Sequence, residues 1–223
     1  MHRRTITVAL VLAQFVVVHV LAGVEPGSSL KAEPGTQPQT VSYILDASQS
    51  TFMAHAGRSG LLWFRGHGHH LAAKDFSGRV ELTPDSITPA SLRLVVKAAS
   101  LHETSAKFTE QQKQIINKEL HDIVLHPDQY PDIVFQSTNV TAKPAKVGTG
   151  YDLKLTGDLT LHGVTRRIEI PAALVVKDDE LRAVGEFSID RDDFKVKATS
   201  AAHGLVRVSN KVKFEFNILG RRQ

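Results

Sequence analysis

The sequence predicts an all-β domain built of short antiparallel strands and interrupted by one amphipathic helix. Segments in which apolar and polar residues alternate recur along the chain after residue 40, and turn-forming residues separate them. Alternation with a period of two is typical of strands that have one wet face and one dry face. Roughly eight to ten such strands at close spacing indicate a barrel or a sandwich.

The alternation is clearest in residues 92–96, 153–161 and 211–218, where Leu, Val, Phe or Ile occupies nearly every second position. Polar or charged residues mostly occupy the positions between them. The other predicted strands are Val41–Asp46, Thr51–Ala56, Leu71–Asp75, Gly78–Thr83, Asp132–Thr138, Arg166–Ile170 and Glu180–Asp190.

One segment, Thr109–Val124, has the periodicity of a helix. Its first residue can cap the N-terminus, and its apolar side chains fall on one stripe. We expect this single helix to be inserted between strands. The sequence leaves open whether it closes one mouth of a barrel or packs outside the sheet.

The first 22 residues predict a cleaved export signal. Arg3 and Arg4 form a short basic start, and an almost unbroken apolar run extends to Ala22. We expect cleavage after Ala22, a flexible leader over 23–39 and a folded domain over 40–220, which would be periplasmic or secreted. An uncleaved anchor is the alternative, because the run is about as long as a short transmembrane helix. Val24 stands where a lipoprotein carries its Cys, so we expect no stable membrane anchor after cleavage.

Composition argues against several classes of function. The chain has no Cys, which excludes disulfides, thiolate metal sites and Cys nucleophiles. The formal charge of +4 includes Arg3 and Arg4, and the remaining +2 is too small to indicate nucleic-acid binding. Serine-hydrolase, zinc-protease and phosphate-loop motifs are absent from the sequence. The pair His102-Glu103 is interpreted as a surface turn. We therefore expect a protein that is not an enzyme and needs no cofactor.

His67, His69 and His70 form the one dense histidine cluster of the sequence. Three imidazoles can bind one metal ion, with His55 as a further candidate ligand. On a strand, however, His67 and His69 share a face while His70 points away, and no carboxylate lies at motif spacing. The favoured interpretation is a strand-entry turn without a metal. A metal-dependent enzyme or metal-handling protein is the alternative.

The interior of the predicted sheet is the best candidate for a ligand site. A small closed barrel either fills its interior with side chains or holds one ligand, and the sequence leaves this choice open. A long hydrocarbon could bind there with few polar contacts, because burial contributes about 0.8 kcal/mol per CH₂. The candidate lining residues are Phe52, Leu94, Val96, Phe135, Leu159, Leu161, Phe187, Phe214 and Phe216.

Several motifs occur in an informative order along the chain. They are Tyr43-Ile44-Leu45-Asp46 with Ser50 and Phe52, the segment FSGRV over 76–80, the segment YPDIVFQST over 130–138, and GDLTLHGVTR over 157–166 followed by Ile170-Pro171. The last of these is the most specific. Together they span about Thr40 to Gly220 and resemble the YceI-like family of bacterial lipid-binding proteins.

The resemblance implies an antiparallel, eight-stranded, lipocalin-like β-barrel, typically periplasmic, whose interior holds a long isoprenoid, quinone or other amphiphilic lipid. Such a protein would act in lipid or quinone handling or in a stress response, and a homodimer is a candidate assembly. Residues 60–67 depart from the better-known branch of the family, and Trp63 and Phe64 could line or plug the barrel mouth. This departure bears on the ligand more than on the fold. A structural protein whose barrel carries no ligand is a third hypothesis.

Overall fold

The computed structural model of the chain describes residues 39–59, 68–84, 86–146, 148–197, 200–201 and 206–223. The predicted signal over 1–22 and nearly all of the predicted leader over 23–39 lie outside the described residues. Trp63, Phe64 and His67 lie outside them as well. The predictions made for these residues therefore stay predictions.

Eleven strands occur in the described part of the chain. They are β1 (Val41–Ser59), β2 (His69–Ala73), β3 (Phe76–Thr83), β4 (Ile87–Lys97), β5 (Leu101–Glu103), β6 (Asp132–Pro144), β7 (Tyr151–Leu161), β8 (Val164–Lys177), β9 (Glu180–Asp190), β10 (Ser200–Ala201) and β11 (Val206–Arg222).

These strands form one closed antiparallel barrel. The order β11-β9-β8-β7-β6-β4-β3-β1 returns to its start because β1 also pairs with β11. β2 pairs with β1 beyond the end of β3, and β5 pairs with β2 in the same way that β4 pairs with β3. The barrel therefore has eight strands, two of which are interrupted. One of these consists of β2 and β3, and the other consists of β4 and β5. The predicted fold class is confirmed.

Strand β1 joins two segments that the sequence predicts as separate strands. Val41–Asp46 and Thr51–Ala56 both pair with β11, and the register shifts between Asp46 and Thr51. The Ser50 hydroxyl donates to the Asp46 carbonyl and accepts from the Leu219 amide, so it bridges the irregularity. The prediction of two strands is wrong here, because the polar residues between them form a bulge rather than a turn.

The predicted helix is confirmed, and it covers one mouth of the barrel. Helix α1 (Glu110–Glu119) continues as a π-helical turn over Leu120–Leu125. Thr109 and Gln112 form a reciprocal capping box at its start. Ile116 and the buried Leu120 face a cavity at the barrel end, which decides the alternative that the sequence left open. In the described part of the chain, no helix has the length and apolar character required to cross a membrane.

The other end of the barrel holds a separate cluster of packed side chains. A small cluster of fully or almost fully buried residues lies there, where β3 meets β4 and β8 meets β9. Its members are Tyr43, Leu82, Ile87, Leu174 and Leu181. The two ends of the interior are therefore different, since this buried cluster packs at one end and the helix covers the other.

Cross-strand ion pairs cover the outside of the barrel. Arg167 binds Asp158 through two hydrogen bonds between β8 and β7, and Lys154 lies 2.9 Å from Glu169 in the same strand pair. Exposed pairs of this kind contribute little to stability. They show which face of the sheet is outside. Because successive side chains of a strand point to opposite faces, the apolar side chains between these charged ones face the interior.

Candidate functional site

The barrel encloses an apolar cavity. Its atom-free space, including the opening to solvent, is about 1290 Å³. Among the described residues that line it, Ser91 alone has a polar side chain, and the rest carry only carbon. Such a lining can hold hydrocarbon but offers few polar atoms to orient a polar ligand.

Nine of the eleven residues predicted to line the interior do line this cavity. They are Phe52, Leu94, Val96, Phe135, Leu159, Leu161, Phe187, Phe214 and Phe216. The other two, Trp63 and Phe64, lie outside the described residues. Whether any of the eleven contacts a ligand stays a prediction.

Sequence reasoning missed several lining residues. Leu153 and Leu155 belong to the same alternating run as Leu159, so the pattern could have found them. Ile87 and Ala90 lie at the start of β4, where no clear alternation exists, and only the closure of the barrel brings them to the cavity.

Four aromatic rings form a continuous apolar wall. The rings of Phe187 and Phe214, which are register partners on β9 and β11, stack with centroids 4.9 Å apart and planes 12° apart. Phe52 on β1 lies 6.0 Å from Phe214 and 6.4 Å from Phe76. These tilted and stacked contacts stiffen one side of the interior.

Two glycines give other rings the room to lie flat against the sheet. A Cβ at Gly157 would lie 2.5 Å from the Phe135 ring and 2.5 Å from the carbonyl oxygen of Gln136. A Cβ at Gly185 would lie 2.6 Å from the Phe216 ring. Glycine at these positions therefore sets how far the rings protrude into the cavity.

A second compartment lies beneath the helix, with atom-free space of about 1020 Å³ including its opening. Ile116, Leu120 and Val124 form its helical side. Four residues line both spaces and stand between them: Leu101, Ile133, Leu161 and Phe214. The boundary between the two spaces is therefore formed by hydrocarbon side chains.

The second compartment, unlike the first, has charged groups near it. His69 lines it, and Nδ1 of His69 lies 2.8 Å from Oε2 of Glu103, whose side chain has no solvent exposure. The interpretation of His102-Glu103 as a surface turn is wrong. β5 extends the β4 strand beside β2, which places Glu103 against His69 inside the structure.

Arg191, which follows β9, lines the same compartment. The β1–β11 strand pair lies between Arg191 and His69 along the wall. Nη1 of Arg191 donates to Asp192 Oδ1 at 2.8 Å and to the Val196 carbonyl at 2.7 Å. Its Nε is buried and has no hydrogen-bond partner among the described residues. This nitrogen has almost no accessible surface, so it is not a donor that a ligand in the compartment contacts.

The structure separates the predicted histidine cluster. His69 lines the interior compartment, whereas His70 is exposed and meets the ring of His55 edge-on at 4.9 Å. His55 in turn lies 3.3 Å from Glu215. The described residues contain no group of three or more His, Asp or Glu side chains arranged to hold a metal ion. His67 lies outside them, so the metal alternative stays untested.

A further histidine pair lies where the π-helical turn meets the β7–β8 hairpin. The ring of His162 lies 4.2 Å from that of Tyr130 and 5.7 Å from that of His126. Burial, and secondarily the charge of His126, lowers the pKa of His162. Nε2 of His162 is buried and unpartnered in the described structure, which agrees with that direction.

The chain matches the YceI-like domain over residues 43–219. It is 36% identical over 100 residues to the UPF0312 protein VPA0850 of Vibrio parahaemolyticus, which covers 45% of this chain and 47% of that protein. It is 32% identical over 109 residues to the protein YceI of Escherichia coli O6:H1, covering 48% and 49%. These alignments span about half the length of the curated relatives.

Solved structures share the fold. BcnA of Burkholderia cenocepacia superposes with a TM-score of 0.60 at 19% identity, covering 78% of this chain and 98% of that chain. A polyisoprenoid binding domain from Saccharophagus degradans, implicated in plant cell wall breakdown, superposes with a TM-score of 0.54 at 15% identity, covering 81% and 98%. At these identities the likeness establishes the fold alone.

Proposed function

The chain belongs to the YceI-like domain family, and from this premise we propose that it holds a long isoprenoid, quinone or other amphiphilic lipid inside the barrel. The observation that carries the proposal is the main cavity, whose described lining has one hydroxyl and otherwise only hydrocarbon. A site of this kind recognises its ligand by apolar burial.

The energetics favour a long chain over a short one. Each CH₂ moved from water into the cavity contributes about 0.8 kcal/mol, which corresponds to about fourfold in affinity. Loss of translational freedom and ordering of the chain oppose binding, so a short lipid gains too little to be retained. A long lipid gains enough without any polar contact in the main cavity.

The fold relatives support this class of ligand. The Saccharophagus degradans structure is described as a polyisoprenoid binding domain, and an apolar barrel interior is what such a ligand requires. The binding role also agrees with the chemistry of the main cavity. General acid–base or nucleophilic catalysis needs positioned ionisable side chains, and the described lining of this cavity contains none.

We further propose that the protein acts outside the cytoplasm after removal of residues 1–22. The basic start, the apolar run and the small residues near Ala22 support export. N-terminal sequencing of protein recovered from the periplasmic fraction tests this part. A mature chain that begins at Gly23 is the expected result, and an intact Met1 would contradict cleavage.

Solvent extraction followed by mass spectrometry tests the binding proposal. Protein purified from its native host without detergent should release a stoichiometric lipid of isoprenoid or similar character. Protein freed of lipid by unfolding and refolding should then bind isoprenols with an affinity that rises with chain length. A barrel that carries no extractable lipid and binds C10, C15 and C20 isoprenols equally weakly would contradict the proposal.

A further inference from the structure

The compartment beneath the helix differs from the main cavity in the polar atoms on its wall. His69, Glu119 and Arg191 line it among apolar residues, whereas the main cavity offers only the hydroxyl of Ser91. A lipid lying along both spaces would place its chain in the main cavity and its polar end here. Resting on the proposed function, we propose that this compartment is a head-group site that selects an uncharged hydroxyl.

His69 supplies an acceptor of fixed orientation. Oε1 of Glu103 accepts from the backbone amides of His70, Thr104 and Ser105 at 3.1, 3.1 and 2.8 Å. Oε2 accepts from Nδ1 of His69. The ring of His69 also stacks on Phe108 with centroids 5.6 Å apart and planes 13° apart. The carboxylate and the stacked ring together fix the plane of the imidazole.

The tautomer follows from this arrangement. Because the carboxylate accepts, Nδ1 of His69 carries the proton, and in the neutral ring Nε2 is then an acceptor. Nε2 has no hydrogen-bond partner among the described residues. A hydroxyl can donate to it, whereas an ether, a ketone or a fully ionised phosphate cannot.

Arg191 does not supply a competing donor at this point of the wall. Its Nη1 already donates to Asp192 Oδ1 and to the Val196 carbonyl, and its Nε is buried out of contact with the free space. The acceptor of His69 is therefore the polar atom that a hydroxyl of the head group would meet.

The barrel register places these two side chains around one space. His69, Ala56, Val212 and Ile189 are successive register partners on β2, β1, β11 and β9, and all four line the compartment. Arg191 follows Ile189 by two residues and lines it too. Adjacent strands are about 4.8 Å apart, so the row of four spans about 14 Å along the curved wall.

Local charge argues against an anionic head group. The carboxylate of Glu103 is fully buried beside the compartment, and that of Glu119 lies on its wall. Arg191, the arginine on this wall, already pairs with Asp192. A phosphate brought into this space would therefore lie near two carboxylates without an unpaired arginine to neutralise it.

Three probes with one C20 chain separate the possibilities: geranylgeraniol, its methyl ether and its monophosphate. The ether keeps the accepting oxygen and lacks the donor. With lipid-free protein and calorimetric or displacement titration, we expect the alcohol to bind about tenfold more tightly than either the ether or the phosphate.

One variant assigns the preference to its residue. His69→Phe keeps a flat ring without the acceptor, and it should weaken the alcohol about tenfold while leaving the ether unchanged. Arg93→Met is the control and should change neither, because Arg93 is exposed on β4 between the cavity-lining residues Leu92 and Leu94 and therefore lies on the outer face.

The outcomes are distinct. Equal binding of all three probes would overturn the head-group site and leave the proposed lipid-binding function standing. Tighter binding of the phosphate would overturn the selection of an uncharged group. Absence of binding by every probe would overturn both proposals. If His69→Phe does not fold, the alcohol-to-ether ratio of the unaltered protein decides the question.

Discussion

Nδ1 of His69 lies 2.8 Å from Oε2 of Glu103, a carboxylate that is completely buried beside the compartment under the helix. The two residues are separated by 34 positions in the chain and are joined only because β5 pairs with β2. Burying a carboxylate is costly unless its oxygens are fully hydrogen-bonded. Here one oxygen accepts three backbone amides and the other accepts the imidazole.

Glu103→Gln should destabilise the fold by about 2–4 kcal/mol. The neutral amide oxygen of Gln is a weaker acceptor for the three backbone amides than the carboxylate, and its amide nitrogen can face His69 only if the imidazole gives up its Nδ1 proton, so the charge-assisted hydrogen bonds are lost. Chemical denaturation followed by circular dichroism measures the change. The control is Glu169→Gln, which removes an exposed pair with Lys154 and should cost less than about 1 kcal/mol. Equal losses in the two variants would contradict the structural role of Glu103.

Ala172→Phe should lower lipid affinity by at least about tenfold. Ala172 lines the main cavity from β8, so a phenyl ring there would occupy space that the lipid chain needs. The next residue, Ala173, is exposed on the outer face, and Ala173→Phe is the matched control. Titration with geranylgeraniol compares the two. If the inward and outward variants bound the alcohol equally well, the main cavity would not be where the chain lies.

Gly157→Ala should destabilise the barrel by about 1–3 kcal/mol, because the new methyl would overlap the Phe135 ring and a backbone carbonyl that cannot easily move. Gly57→Ala is the control. A Cβ at Gly57 would make only an ordinary 3.6 Å contact with Ser209, so its effect should stay within about 1 kcal/mol. Thermal unfolding of both variants measures the difference. An unchanged unfolding temperature of Gly157→Ala would contradict this prediction, because it would show that the Phe135 ring and the backbone move apart to accommodate the methyl group.

The pH dependence of stability should report on His162. Its pKa in the folded protein lies below the ordinary value of 6.5 because of burial and the nearby His126. The unfolded chain therefore binds more protons than the folded one just below pH 6.5, and this contribution to stability is complete above pH 6.5 and is lost as the pH falls towards the lowered pKa.

His162→Asn removes the titrating ring at a position with φ of 51°, a conformation that Asn tolerates better than most residues. Urea unfolding between about pH 8 and about pH 5 should then show a smaller acid loss of stability in the variant than in the unaltered protein. An unchanged pH profile would contradict this assignment.

The alternation in β7 and β11 was enough to predict inward residues such as Leu159 and Phe216, because a strand has only two faces. The helix start at Thr109 was equally predictable, since capping depends on neighbours in the chain. The bulge between Asp46 and Thr51 was not predicted. Its Ser50 bridge depends on Leu219, which is 169 positions away.

The sequence by itself determined the antiparallel β-barrel, the single capped helix and most of the apolar lining, because these follow from local periodicity and from family motifs. Only the tertiary structure decided that the helix covers one mouth and that the interior has two compartments. It also decided that Glu103 is buried against His69 and that Arg191 faces the same space. These relationships depend on closure of the barrel and on long-range strand register, which bring together residues that no local pattern connects.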